Sequence, residues 1–401
     1  MTKEKKIKML IAGTILIDVI GFGIVIPLLP FYVRQFSVSP LAVTLLFSVY
    51  SLCSFFSAPF LGALSDKYGR RPVLIASIVS TAIGWLVFAL ANSLWLLFLG
   101  RIIDGLAAGN FSTAQSALSD LAKDEKERAV NLGLAGALFG IGFILGPLLG
   151  GLLGLISARF VFFFVAALAS ANALWAWRAL PETNSHLHAQ AKISFNPFLP
   201  LKKAILDHKI RPAYGVWFLF SLAAASQQSV FALYMGKIFS FNQTGVGLIM
   251  TGIGVVIVFN QGFGLKKFWL KRFSQGLLRL GAPLFFGLSL LMLATQSLWI
   301  YLAGLFVGSF AQSILRVTVT SEAVSAADPK RRGEVMGIMT SLNSLGMIIG
   351  PLIAGAAFVA HDMLAYYLGA VCMLIAFLIA WGDSQRRQPI ASTDIPMPDT
   401  I

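Results

Sequence analysis

The sequence predicts an all-α polytopic membrane protein with twelve transmembrane helices in two pseudo-symmetric six-helix bundles. Three observations support this fold class: the composition, the distribution of charge and an internal repeat. Of the 401 residues, 57% are hydrophobic and 12% are charged, with a mean hydropathy of +0.80. Soluble domains are about 45–50% apolar and about 25% charged. The composition therefore excludes an ordinary soluble domain.

Apolar runs of about 20 residues, the length that crosses a bilayer as a helix, recur along the whole chain. Backbone amides in hydrocarbon need partners within the chain, and the short alternating strands of a membrane barrel are not seen in this sequence. We predict twelve spans, at residues 8–33, 41–64, 73–91, 94–116, 130–154, 158–178, 212–236, 245–264, 276–295, 298–320, 333–357 and 362–382.

The net charge of +14 is explained by where the basic residues lie. With the N-terminus on the inner side, 26 of the 31 Lys and Arg residues fall in segments on that side. Only Arg34, Arg159 and Lys237 fall outside, and Arg101 and Arg316 lie within spans. An excess of basic residues in cytoplasmic loops is the positive-inside rule. We therefore predict cytoplasmic termini in a bacterial inner membrane, and no nucleic-acid binding.

An offset of 204 residues superposes part of one half of the chain on the other without a gap. Such a parallel repeat is typical of transporters whose substrate site lies at the midplane between the halves. We predict an N-terminal bundle (1–180), a cytoplasmic linker (181–211), a C-terminal bundle (212–383) and a cytoplasmic tail (384–401). The superposed pairs are Trp95 and Trp299, Gly100 and Gly304, Asp124 and Asp328, Arg128 and Arg332, Gly133 and Gly337, Gly142 and Gly346, Gly146-Pro147 and Gly350-Pro351, and Gly151 and Gly355.

The sequence offers no constellation for enzymatic, metal or nucleotide chemistry. Cys53 and Cys372 lie in predicted spans, and all four histidines lie outside the spans. Neither cysteine suggests a disulfide or a metal site. The GxxxxGK[ST] loop that cradles nucleotide phosphates is absent from the sequence. We expect no enzyme activity, no cofactor and no metal.

Glycine and proline mark the fifth and eleventh spans. Pro147 removes a helical hydrogen bond and favours a bend, and the eleventh span repeats the feature as Gly350-Pro351. Close packing explains the glycines alone, whereas a proline in both spans favours moving parts, with gating roles for these residues. The glycines of the fifth span recur every four residues and form one face for close helix approach: Gly142, Gly146, Gly150 and Gly154.

Five stretches resemble motifs of the major facilitator superfamily. "DVIGFGIVIPLLP" (18–30) is similar to the first-span pattern of its twelve-span drug:proton antiporter branch, which includes tetracycline-efflux proteins. "GALSDKYGRRP" (62–72) resembles the loop between spans two and three, and "GRIIDGLAAG" (100–109) the fourth-span arginine motif. "GIGFILGPLLGG" (140–151) resembles the fifth-span antiporter motif, and "LPET" (180–183) a common end of span six. The resemblance implies the major facilitator fold and proton-coupled export.

The resemblance also implies a gating role for the charged loop. Asp66 and Arg70 would latch the two halves on the cytoplasmic side, with Asp66 facing the positive end of the eleventh span near Gly333. Arg70 would pair with Asp120. The alternative is that the basic residues of the loop only enforce topology. The second-half counterpart "KKFWLKRFSQG" (266–276) has no Asp, so any latch there is weaker or different.

Three ionisable residues lie deep in predicted spans. Asp18 is about ten residues, roughly 15 Å, into span one, and Arg101 and Asp104 lie one turn apart on span four. A charge at a helix centre costs about 2.5–3.5 kcal/mol on insertion scales and is a functional candidate by default. We hypothesise that Asp18 and Asp104 carry protons and that Arg101 modulates their proton affinity, because a nearby cation favours a charged carboxylate. A static ion pair that orients two helices is the alternative.

Several polar and aromatic residues in the spans are candidates for substrate contact. Interhelical hydrogen bonds or packing explain any one of them. If Arg316 faces the cavity it favours an anionic or zwitterionic substrate, whereas snorkelling is the alternative. Tetracycline exporters of the branch carry acidic residues in spans three and nine, but 73–91 and 276–295 have none here, which argues against tetracycline itself. The candidates are Phe22, Asn110, Gln115, Gln227, Gln228, Tyr234, Gln312, Arg316 and Asn343.

Together these features predict a proton-coupled antiporter that exports a small amphipathic organic molecule or drug by alternating access. The expected partners are a small-molecule substrate, protons and membrane lipid, and the expected state is a monomer. Two alternatives stay open. One is a proton-coupled importer or facilitator of a nutrient, metabolite or siderophore, and the other is a membrane receptor or scaffold that transports nothing.

Overall fold

The computed structural model describes residues 3–36, 38–184, 198–328 and 331–386. Within them, twelve helical stretches are long and apolar enough to cross a membrane, which confirms the predicted fold class. The helices are α1 (Lys3–Val33), α2 (Pro40–Tyr68), α3 (Arg70–Ala89), α4 (Leu94–Leu106), α5 (Asn110–Asp120), α6 (Glu125–Leu153), α7 (Ala158–Ala179), α8 (Leu199–Leu206), α9 (Arg211–Ile238), α10 (Gln243–Phe259), α11 (Leu270–Arg272), α12 (Gln275–Leu293), α13 (Leu298–Ala326), α14 (Arg332–Ala360) and α15 (Leu364–Arg386).

Two spans are less regular than their hydropathy suggests. In the fourth span a turn at residues 107–109 separates α4 from α5, and the amide of Gly109 bonds to the carbonyl of Ala107 at 2.6 Å. In the eighth span α10 continues through a π-helical segment, Asn260–Trp269, into α11. π-Helical and broken segments are common at functional sites. The helix of the fourth span is therefore interrupted between two of its candidate functional residues, Asp104 and Asn110.

Large apolar side chains cover the outer surface of the bundle, as contact with lipid requires. Trp95 and Trp299, which the internal repeat superposes, are 83% and 80% exposed at the starts of α4 and α13. Tryptophan at the ends of spans is typical of the membrane–water interface. The two residues therefore mark the same membrane boundary in the two halves.

Glycine lets α6 lie directly against α1. A Cβ atom on Gly146 would come within 2.7 Å of the Cα of Gly23, closer than carbon atoms pack at about 3.5–4.0 Å. Gly350 of α14 has the same relation to α9, because its Cβ would lie 2.8 Å from the carbonyl oxygen of Leu222. The two halves thus repeat the same close helix contact.

Two further close contacts join the first six spans to the last six. On α10, a Cβ atom on Gly247 would meet the carbonyl oxygen of Pro147 and lie 3.0 Å from the Cα of Gly151. On α14, a Cβ atom on Gly355 would meet the side chain of Thr44 on α2. Both contacts lie near the C-terminal ends of α6 and α14. The halves are therefore packed together at that end of the bundle.

The other end of the bundle holds the starts of α1, α6 and α14 and the turn between α2 and α3, and we call it the basic face. There the halves stand apart. Within residues 125–141 of α6 only Asn131 and Ala135 are buried. A Cβ atom on Gly62, Gly136 or Gly337 would meet nothing within 4 Å. The bundle is thus closed at one end and open toward the basic face.

The short helix α8 is tied to the start of α14 by ion pairs. Lys203 of α8 lies 2.7 Å from Glu334, and Arg331 lies 3.0 Å from Asp207. Hydrogen bonds to Glu334 and Asp207 raise the pKa of Arg331, because both carboxylates favour the charged guanidinium. These exposed pairs hold α8 in place without contributing much stability.

The residue before α8 reaches the opposite half of the bundle. The ring of Phe198 lies 6.0 Å from that of Phe55 on α2, centroid to centroid. This segment therefore contacts helices of both halves, and its contact with α2 lies near the middle of that helix. Of the predicted linker and tail, residues 185–197 and 387–401 lie outside the described residues.

The α6–α1 contact yields a stability prediction. We expect Gly146→Ala to lower the free energy of unfolding by about 1–3 kcal/mol, because the added methyl group forces two backbones apart. Gly136→Ala, on the open part of the same helix, should leave stability unchanged or raise it by up to about 1 kcal/mol through helix propensity. Thermal unfolding of the purified protein measures both. Equal effects of the two substitutions would contradict the close contact.

Candidate functional site

The ionisable residues of the first and fourth spans meet in one buried network. Asn110 Nδ2 donates to Asp18 Oδ1 at 3.0 Å and to Thr81 Oγ1 at 3.1 Å. The Thr81 hydroxyl lies beside the Asp104 carboxylate, and Arg101 Nη1 lies 3.5 Å from Asp104 Oδ2. One amide and one hydroxyl therefore lie between two carboxyl groups.

The path of the fourth span brings these groups together. A Cβ atom on Gly84 would lie 3.0 Å from the amide nitrogen of Asp104, so α3 and α4 are in close contact here. The turn at 107–109 then lets α5 begin at Asn110, whose side chain reaches Asp18 on α1. Four helices thus contribute to one network.

Aromatic rings hold the guanidinium of Arg101 inside the bundle. Its Cζ atom lies 4.8 Å from the ring centre of Trp85, 5.1 Å from that of Phe88 and 5.7 Å from that of Tyr50. The residue is only 3% exposed. Cation–π contacts of this kind contribute about 0.5–2 kcal/mol each. Arg101 is therefore held beside Asp104 and does not snorkel to the membrane surface.

A small cavity adjoins the network. Its volume is about 20 Å³, and Asp18, Thr81, Trp85 and Asn172 are among its lining residues. That volume is sufficient for one water molecule, which needs roughly 10–15 Å³ by the same measure. The cavity therefore has room for a water molecule beside Asp18.

The loop candidates Asp66, Arg70 and Asp120 form one ion-pair cluster within the first six spans. Arg70 Nη1 lies 2.7 Å from Asp66 Oδ1, and Arg70 Nε lies 3.0 Å from Asp120 Oδ2. The space beside Gly333 is open, because a Cβ atom there would meet nothing within 4 Å. This is the geometry that a released latch would have.

Sequence analysis missed the contribution of Glu182 to this cluster. Its carboxylate accepts hydrogen bonds from the backbone amides of Arg70 at 2.8 Å and Arg71 at 3.1 Å. These are the first amides of α3, and free amides at a helix N-terminus favour an anion. Gly69, with φ of 104°, turns the chain sharply into that helix. The signal in the sequence was the position of Glu182, an acid three residues after the end of α7.

The second half holds a similar cluster that the sequence analysis also missed. Arg279 Nε lies 3.0 Å from Glu322 Oε2, and Arg279 Nη2 pairs with Asp383. The three residues lie on the ninth, tenth and twelfth spans, which match the third, fourth and sixth. The arginine lies on α12, just beyond the 266–276 segment. A second-half charge cluster therefore exists, but without a counterpart of Asp66.

Several substrate candidates lie between α9 and α13. Gln312 Nε2 donates to Gln227 Oε1 at 3.2 Å. Arg316, one turn further along α13, is exposed, and its Cζ atom lies 5.9 Å from the ring centres of both Trp217 and Phe220. The structure therefore brings three of the predicted substrate residues together.

The remaining substrate candidates are scattered. Tyr234 is fully buried, its hydroxyl donates to the carbonyl of Thr295 at 2.7 Å, and its ring stacks on that of Tyr301. Asn110 belongs to the carboxyl network. Phe22 is half-buried, with its ring 6.1 Å from that of Tyr50. The other half-buried candidates are Gln115, Gln228 and Asn343.

A bundle of twelve apolar helices, open at one end and with ionisable groups held inside, is the architecture of a secondary membrane transporter. The family model of the Major Facilitator Superfamily matches this chain at residues 11–267 and 213–396. The chain belongs to this superfamily.

Individual relatives match nearly the whole chain. The class C tetracycline resistance protein of Escherichia coli is 30% identical, covering 93% of this chain and 96% of that protein. The quinolone resistance protein NorA of Staphylococcus aureus (strain MSSA476) is 26% identical, covering 92% and 94%. The crystal structure of the human organic anion transporter MFSD10 (TETRAN) has a TM-score of 0.69 at 23% identity, covering 95% of this chain and 100% of that one. The last likeness concerns the fold alone.

The ring contacts of Arg101 yield a stability prediction. Arg101→Lys keeps the charge but loses the planar stacking group, so we expect the free energy of unfolding to fall by about 1–2 kcal/mol. Arg128→Lys, at an exposed pair with Glu125, should change it by less than about 0.5 kcal/mol. Thermal unfolding of the two purified variants makes the comparison. A tolerated lysine at position 101 would show that the rings do not hold the cation.

Proposed function

We propose that this protein is a proton-coupled antiporter that exports small amphipathic organic molecules by alternating access. The observation that carries the proposal is the buried network in which Asn110 and Thr81 lie between Asp18 and Asp104. Membership of a transporter superfamily and the similarity to drug resistance proteins support it.

In this proposal the basic face lies in the cytoplasm of a bacterial cell. The excess of basic residues in the loops of that face supports the orientation. The chain acts as a monomer, and its moving units are residues 1–180 and 212–383, joined by the linker 181–211 and followed by the tail 384–401. The partners are the substrate, protons and membrane lipid.

Alternating access rocks the two units about a substrate site between them. The structure, closed at the end opposite the basic face, represents the form open to the cytoplasm. Closing the cytoplasmic side would bring Asp66 to the positive start of α14 near Gly333. Gly146 and Gly350 hold α6 against α1 and α14 against α9 within each unit, while the carbonyl oxygen of Pro147 meets Gly247 of the other unit. The Gly146-Pro147 and Gly350-Pro351 segments would adjust as the units rock.

The proton step belongs to the carboxyl network. Asp18 and Asp104 accept protons, and the distance of Arg101 from Asp104 sets how readily the latter holds one. The network spans α1, α3, α4 and α5, so protonation changes contacts between several helices at once. The proposal assigns substrate contact to the remaining candidates. These are Phe22, Gln115, Gln227, Gln228, Gln312, Arg316 and Asn343.

The coupling role is tested with carboxamide variants. Asp18→Asn and Asp104→Asn cannot carry a proton, so we expect proton-driven uptake into everted vesicles to fall about tenfold or more. Exchange of labelled for unlabelled substrate needs no net proton movement and should persist. A tetracycline and a quinolone serve as test compounds because relatives confer resistance to these classes.

The matched control is Asp362→Asn, since Asp362 pairs with Lys237 at the opposite end of the bundle. It should leave driven uptake unchanged. Unchanged driven uptake in Asp18→Asn or Asp104→Asn removes that acid from the mechanism. Uptake only into right-side-out cells indicates import, and binding without exchange indicates a receptor.

The latch is tested by turnover. Asp66→Asn weakens the attraction to a helix start, typically about 0.3–1 kcal/mol, so we expect the maximal transport rate to fall several-fold while half-saturation changes little. Lys67→Gln, the neighbouring charge, should have little effect. Initial rates of uptake over a range of substrate concentrations separate the two parameters. An unaltered rate in Asp66→Asn is incompatible with the latch.

A further inference from the structure

Arg316 differs from the other arginines inside the bundle. Arg101 has Asp104, and Arg279 has Glu322 and Asp383. Among the residues that the structure describes, no hydrogen-bond or ion-pair partner faces the guanidinium of Arg316. Its side chain is nevertheless exposed, ten residues before the end of α13. An ionised group held at such depth without a carboxylate has to be compensated by water or by a ligand.

The side chain points into the bundle rather than toward lipid. It lies against Trp217 and Phe220 of α9, which are only 7% and 1% exposed. Trp217 Nε1 in turn donates to the carbonyl oxygen of Met339 on α14 at 2.8 Å. Arg316 therefore lies on the side of α13 that faces α9, inside the second half of the bundle.

Two amides extend the polar surface of this face. Gln312 lies one helical turn before Arg316, and residues four apart share a helix face. Its Nε2 donates to Gln227 Oε1, which leaves its Oε1 and the Nε2 of Gln227 for another partner. A cation with two amides in an otherwise apolar bundle matches the chemistry of an amphipathic anion.

We propose that Arg316, assisted by Gln227 and Gln312, binds the anionic group of the transported molecule. A carboxylate or sulfonate accepts two parallel hydrogen bonds from a guanidinium, and the buried rings of Trp217 and Phe220 pack behind the cation. The inference rests on the proposed transport function and adds the charge class of the substrate. Proton binding lies in the first half and anion binding in the second, so the two can be tested separately.

The test measures equilibrium binding of labelled naphthalenesulfonate to the full-length protein in uncharged detergent. Uncharged naphthalenesulfonamide and cationic naphthylmethylammonium are the matched probes. We expect the sulfonate to bind more tightly than the ammonium compound. Arg316→Gln should weaken sulfonate binding about tenfold or more and leave sulfonamide binding within about twofold, which a collapsed protein would not do.

Two further variants complete the test. Arg316→Lys should retain an intermediate affinity for the sulfonate, because it keeps the charge but loses the fork of donors. Arg272→Gln, an exposed arginine that also lies over a ring, that of Phe268, should bind the sulfonate as the unmodified protein does. Unchanged sulfonate binding in Arg316→Gln, an equal loss in Arg272→Gln, or no binding of any probe overturns the proposal.

Transport of the same probe distinguishes this inference from the proposed function. Sulfonate that binds through Arg316 but is not accumulated in proteoliposomes under an imposed pH gradient supports the anion site and contradicts proton-driven export. A tetracycline or quinolone accumulated in an Asp18-dependent manner, with Arg316→Gln without effect on sulfonate binding, supports export and contradicts the anion site.

Discussion

The cost of holding ionised side chains inside an apolar bundle is the constraint that shapes the first six spans. Arg101 is accommodated because three aromatic rings and Asp104 surround it. Asp104 in turn depends on the close approach of α3 and α4 at Gly84. The break in the fourth span then directs Asn110 toward Asp18. Each arrangement places a polar or charged group beside the next one, so the network extends across four helices.

The two halves share packing but differ in chemistry. A Cβ atom on Gly100 would lie 3.2 Å from that of Phe88, and one on Gly304 would lie 2.9 Å from that of Met292; both pairs are related by the internal repeat. Leu305, however, stands where the repeat would place an arginine. Helix contacts are therefore kept while the buried ion pair belongs to one half only. The second half carries its exposed cation elsewhere, on the face between α9 and α13.

Features that depend on local interactions can be predicted from this sequence, and features that depend on contacts between distant residues cannot. The spans are predictable because bilayer crossing depends on local hydropathy, and the glycine spacing of the fifth span predicts a close neighbour without saying that it is α1. Spans one and four run in opposite directions, so the sequence places Asp18 and Asp104 at similar depths without saying that they meet. The break at 107–109 and the linking role of Asn110 are not predictable, since packing against other helices decides them. The same limit applies to Tyr234, because a helix pattern does not tell a cavity-lining ring from a buried one.

An anion site at Arg316 would affect how much charge crosses the membrane in each transport cycle. If an organic anion leaves the cell while two protons enter on Asp18 and Asp104, three elementary charges move in the same sense across the membrane. Each is driven by about 2.3 kcal/mol per 100 mV, so one cycle would draw roughly 7 kcal/mol from an inside-negative voltage. Such a transporter would concentrate its substrate outside even where the acidity of the two compartments is equal. Its output would therefore depend on the membrane voltage as well as on the pH difference between the two sides.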